Sequence, residues 1–101
     1  DSSDDAVLQT ATEIENVWET TIQYRISELE GLGTDSEICF NAAESVQKDL
    51  MRHGEHRGVE VILVGLNVSI DGNECNVSAE AGIADRNSRM LMILEASVIL
   101  P

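Results

Sequence analysis

Proline occurs once in these 101 residues, at the last position, and the aromatic complement is one Trp, one Tyr and one Phe. Scarce proline with no low-complexity run argues against a proline-rich linker or a disordered tail. So few rings imply a mostly aliphatic interior, with Trp18, Tyr24 and Phe40 expected as its only aromatics. Basic residues are also few, a single lysine and five arginines against 19 acids, for a formal charge of −13. That charge repels nucleic-acid phosphates and anionic lipid surfaces, so neither is expected as a partner. A basic protein partner, a saline habitat or solubility alone would account for it. No apolar run reaches the roughly 18 to 20 residues that span a bilayer, so no membrane insertion by this segment is expected. Catalytic signatures are missing too: the chain has no glycine-rich phosphate loop, no CxxC and no GxSxG. A noncatalytic protein without a cofactor is the expectation.

The length suits one compact domain, residues 1–101. The opening at Asp1 without a methionine, and the stop just after "ASVILP", suggest a processed product or an excised piece, with room for a removed membrane segment before Asp1.

Two helices are expected first. "DSSDD" offers N-caps and acid groups suited to a helix start, with residues 1–5 as a flexible lead. Val7, Ala11, Ile14, Trp18, Ile22 and Leu29 then recur at spacings of three and four, which predicts a helix over about 5–30, roughly 39 Å long, ended by "GLG". Glu13, Glu15, Glu19, Glu28 and Glu30 form its acidic surface. Arg25 falls within the apolar stripe, either as a stem at the stripe's edge or as an interface arginine that takes a carboxylate. "TDSE" places Thr34 and Glu37 as a capping box opening a second helix over about 35–53, with Cys39, Ala43, Val46 and Leu50 inward and Gly54 as a left-handed stop.

The stretch "MRHGEHRG" holds both histidines and two of the arginines. It reads first as a helix C-terminus, where basic groups meet unpaired carbonyls and the negative end of the macrodipole. His53 and His56 lack HExxH spacing and have only Glu55 between them, so no metal site is assigned. They remain the sole acid-base candidates if chemistry is demanded.

After Gly58 the hydrophobic period drops to two, predicting strands over about 59–70, 73–84 and 89–100. With Asp71-Gly72 as the hairpin turn, Val68 faces Cys75, Leu66 faces Val77, Val64 faces Ala79 and Ile62 faces Ala81, apolar against apolar. The third strand puts Met90, Met92, Leu94, Ala96, Val98 and Leu100 on one face. The second sheet face then carries an apolar band of Val61, Leu63, Leu91, Ile93 and Ile99. If the helices cover opposite faces of the sheet, this band is ordinary core. If both helices share one face, it is an oligomer or partner interface, with open edge strands beside it.

Cys39 and Cys75 both face inward and are a candidate disulfide in an oxidising compartment, or two buried thiols in a reducing one. Asn67 and Asn76 each begin an "NVS" glycosylation pattern, and this register sets them opposite each other, where a cross-strand amide pair serves equally well. The fold class is thus α+β, two N-terminal helices, one of them long, followed by a three-stranded antiparallel meander. In element order this resembles the soluble head of a pilin-type subunit. Such a resemblance implies an extracellular or cell-surface assembly subunit, although the hydrophobic N-terminal segment of such subunits is not in this stretch. The functional expectation is a protein-interaction or assembly subunit that takes a protein partner or forms a homo-oligomer. The alternative is an acidic decoy or inhibitor that binds a basic site.

Overall fold

The computed structural model describes residues 2–101. Asp1 and the side chains of residues 2–5 lie outside the described residues, and with them the N-cap expected in "DSSDD". Helix α1 spans Ser2–Glu28 and α2 spans Asp35–His56. Strands β1 (Glu60–Asp71), β2 (Glu74–Ala84) and β3 (Arg89–Ile99) follow as an antiparallel sheet in the order β1-β2-β3. The α+β meander expected from the hydrophobic periods is the architecture observed.

Both helices pack on the same face of the sheet. Val7, Ala11, Ile14, Trp18, Ile22 and Ile26 of α1, and Cys39, Ala43, Val46 and Leu50 of α2, share one core with Val61, Leu63, Val77, Ala81, Leu94 and Val98. A stripe of this width buries one side of each helix and leaves its polar side to water. Trp18 is the only interior aromatic, because Tyr24 and Phe40 are exposed. Their helical phases place them off the two buried stripes.

The start of α2 is the expected reciprocal cap: the Glu37 amide donates to Thr34 Oγ1 at 3.2 Å and the Thr34 amide donates to Glu37 Oε1 at 3.1 Å. Two helix amides left open by the helical pattern are thereby satisfied. The end differs from expectation. Gly54 does not stop the helix, which runs on to His56, and the left-handed residue is Gly58 at φ +71°. Gly54 is buried and its role is close approach, since a Cβ there would lie 2.5 Å from Val61 Cγ2 and 2.8 Å from the Val59 carbonyl oxygen. The chain after α2 therefore folds back tightly, with the Val59 amide donating to the Gly54 carbonyl at 3.0 Å.

The hairpin register also differs. Asp71 pairs with Glu74, so Gly72-Asn73 rather than Asp71-Gly72 is the two-residue loop, and only Gly72 carries positive φ, at +64°. Glycine in the first central position is the requirement of a type II′ turn. The pairs that follow are Ile70 with Cys75 and Val68 with Val77, two residues off the predicted pairing along β1. Between Val64 and Asn67 the register then shifts through a β-bulge, where Gly65 at φ +63° supplies the extra residue. Beyond the bulge the inward residues of β1 are Val61 and Leu63, while Ile62 and Val64 point outward. Two members of the expected second-face band, Val61 and Leu63, are thus core residues, 2% and 7% exposed.

Candidate functional site

The outer sheet face can be read row by row from the two registers. Glu60, Ala84 and Arg89 form the first row; Ile62, Gly82 and Leu91 the second; Val64, Glu80 and Ile93 the third; Asn67, Ser78 and Glu95 the fourth. Each row is a set of directly opposed residues, close enough for side chains to touch. The second and third rows group four large aliphatic side chains, Ile62 47%, Val64 50%, Leu91 71% and Ile93 70% exposed, into a mainly apolar patch that the exposed Glu80 interrupts on the central strand. Ile99 is exposed as well, but at the other end of β3, beside Glu74 and Asp71. Leu91, Ile93 and Ile99 therefore lie where the sequence places them. Ile62 and Val64 take the positions expected for Val61 and Leu63.

Gly82 stands between Ile62 and Leu91 on the central strand. With no side chain in the middle of its row it leaves a shallow groove of about 430 Å3, lined by Glu60, Ile62, Gly82, Ala84, Arg89 and Leu91. The groove joins an apolar floor to one acid and one base at its rim. Large aliphatic side chains on β-rich backbone, grouped on a face that no element of the described chain covers, are the usual character of an interaction surface. Apart from Ile99, the β3 side of the remaining face is polar. Ser97 Oγ donates to Asn76 Oδ1 at 2.6 Å, and Asn67 Nδ2 donates to the Gly65 carbonyl at 3.2 Å. Asn67 opposes Ser78 rather than Asn76, which pairs with Ser69, so the expected direct amide pair is displaced by the register shift.

The charged candidates are largely engaged within the chain. Arg25 donates to Asp49 Oδ2 of α2 from Nε at 3.0 Å and from Nη2 at 2.6 Å, and from Nη1 to Glu28 Oε1 at 2.8 Å. The Asp49 carboxylate first, and then that of Glu28, raises the Arg25 pKa above its ordinary value. The carboxylate that Arg25 takes is thus supplied by the chain itself, and Arg25 ties α1 to α2 instead of presenting a charge for a partner. Glu13 is similarly held, with its Oε1 2.8 Å from Arg57 Nε and 3.5 Å from His53 Nε2. Of the five acids read as one surface, Glu15, Glu19 and Glu30 are exposed and take part in no ion pair among the described residues, while Glu13 and Glu28 do.

His53 and His56 are on one continuous helix, and His53 faces Glu13 and Arg57 rather than Glu55. Among the described residues no group of three or more His, Cys, Asp or Glu side chains is disposed to hold a metal ion. Cys39 and Cys75 are joined as a disulfide, Cα to Cα 5.7 Å, which clips the first turns of α2 onto the inner face of β2. No helix of the described residues is long and apolar enough to cross a membrane. No protein-family model, no curated protein and no solved structure matches this chain.

The bulge is the feature that sequence reasoning missed. Its signal was Gly65, a lone glycine in an otherwise β-branched strand, a position where a bulge is commonly found.

Proposed function

We propose that this protein is a noncatalytic interaction or assembly subunit whose working surface is the outer face of the sheet, centred on Ile62, Val64, Leu91 and Ile93. The supporting observation is the placement of both helices on the other face, which leaves these four large aliphatic side chains together in water. Exposing them costs free energy that association recovers, at roughly 25 cal/mol per Å2 of apolar surface removed from water. The disulfide favours an oxidising compartment, so an extracellular or cell-surface setting belongs to the same proposal. A head-like subunit of a surface assembly fits this description.

An acidic decoy has narrower support, because Glu13 and Glu28 are neutralised within the chain and only Glu15, Glu19 and Glu30 of that set are available to a basic partner. Ionic strength separates the two readings. Carboxylate-driven binding weakens as salt rises, whereas apolar association persists or strengthens. Light scattering coupled to size-exclusion chromatography tests the proposal over protein and salt concentration. The expected result is a mass that climbs from 11.0 kDa with concentration, survives high salt, and returns to the monomer in Ile93→Glu with the circular dichroism unchanged. A chain that stays monomeric throughout overturns it.

A further inference from the structure

The sheet has two edges, and they are not alike. The β1 edge is interrupted by the bulge at Gly65 and Leu66. Natural proteins blunt exposed edges with bulges, lysines, prolines or short strands, and β3 carries none of these. It runs 11 residues in unbroken register with β2, without Pro, Gly or Lys. Among the described residues, its backbone takes part in no hydrogen bond beyond those of the β2 ladder. Its outward side chains read Arg89, Leu91, Ile93, Glu95, Ser97 and Ile99.

Resting on the assembly reading above, we infer that the occupant of this edge is a second copy of the same chain, joined β3 to β3 in antiparallel register with Leu91 opposite the partner's Ile93 and Arg89 opposite the partner's Glu95. A two-fold axis normal to the sheet keeps the helices of both copies on one side and makes each pair occur twice. Complementarity selects the register. Moving it by one pleat in one direction sets Leu91 against the partner's Glu95 and Arg89 against its Ser97. Moving it the other way sets Arg89 against the partner's Ile93. Only the proposed register joins apolar to apolar and base to acid at every outward position from 89 to 95.

Within the chain, Arg89 lies opposite Ala84 and Glu95 opposite Ser78, and among the described residues neither has an ion-pair partner. The charges that would close the interface are therefore unclaimed. On the inner side the same register lays Met92 against the partner's Met92 across the axis, extending the core without burying a charge. The rows Ile62-Gly82-Leu91 and Val64-Glu80-Ile93 become continuous with their two-fold mates, so the apolar patch doubles in length. Pairing residues 89–95 adds roughly six to eight backbone hydrogen bonds along the open edge. The net charge of −13 on each copy opposes association at low ionic strength, and screening makes the dimer tighter in salt.

The test is a charge exchange read by sedimentation or light scattering on the intact chain. Arg89→Glu and Glu95→Arg each set like charges opposite each other twice, and each weakens the dimer roughly ten-fold or more. The double variant R89E/E95R restores association to within about three-fold of the original, since the pairs are rebuilt with reversed sign. Arg89→Lys adds a direct readout through zero-length carbodiimide coupling. Residues 89 and 95 lie about 20 Å apart along one strand, so a peptide joining Lys at 89 to Glu95 arises only between copies. A dimer that is lost in Ile93→Glu but indifferent to both charge variants, with no 89–95 coupling, overturns this register and leaves the outer-face reading standing. A monomer at every protein and salt concentration overturns both.

Discussion

Replacing Gly54 by alanine separates two accounts of that residue by the sign of the effect. In an unobstructed helix the substitution stabilises by about 1 kcal/mol, because glycine loses the most backbone freedom on folding. In this fold the new Cβ would sit 2.5 Å from Val61 Cγ2 and 2.8 Å from the Val59 carbonyl oxygen. Val61 is buried in the core and Val59 is held by its amide to the Gly54 carbonyl at 3.0 Å, so neither contact yields by a simple rotation into solvent. Overpacking of this kind costs about 1 to 3 kcal/mol, and the backbone contact argues for the upper part of that range. Setting about 3 against the gain of about 1 gives a net loss near 2 kcal/mol. Urea unfolding with the disulfide intact measures it as a lower midpoint at unchanged slope. Adding Val61→Ala to Gly54→Ala removes the side-chain contact but not the carbonyl contact, so its cost falls short of the sum of the two single costs. A Gly54→Ala variant more stable than the parent would refute the close-approach account.

Two further outcomes follow from the covalent and electrostatic ties. Replacing Cys39 and Cys75 by alanine opens a loop closed across a sequence separation of 36 and is expected to cost about 4 kcal/mol, lowering the thermal midpoint by about 15 to 30 °C in a scan without reductant. The Glu37 carboxylate accepts from the Thr34 amide, and this contact first, with the Thr34 side chain beside it, holds its pKa below the ordinary value. Because the folded value is the lower one, the stability it contributes is present above the ordinary glutamate range and lost as pH falls through the depressed value. Glu37→Gln is expected to flatten that part of the acid limb in a series of unfolding curves.

How much of this was legible beforehand varies with the kind of signal. The capping box at Thr34 and Glu37 is local chemistry, two side chains and two amides within one turn, and no distant contact competes with it. Helix α1 follows from a stripe sustained over several turns. The inward placement of Cys39 and Cys75 follows from the two periods, 3.6 on α2 and 2 on β2, and it brought the disulfide within reach. β1 is different. In "VEVILVGL", Val59, Val61 and Leu63 supply apolar residues at one parity while Ile62 and Val64 supply them at the other, so alternation alone cannot choose the buried face. Arg25 was ambiguous for a related reason: besides Glu28 on its own helix, the carboxylate that draws it toward α2 is Asp49, 24 positions away.

The sequence by itself determined the elements, their order and which residues of the third strand share a face, because periodicity, caps and turn glycines act over a few neighbouring residues. The tertiary structure alone decided the rest. Both helices occupy one face of the sheet, and the bulge at Gly65 turns Val61 and Leu63 toward them while turning Ile62 and Val64 toward water. Which parity of a strand is buried is a property of what packs against it. That is why the surface on which the proposed function rests came into view only once the helices were in place.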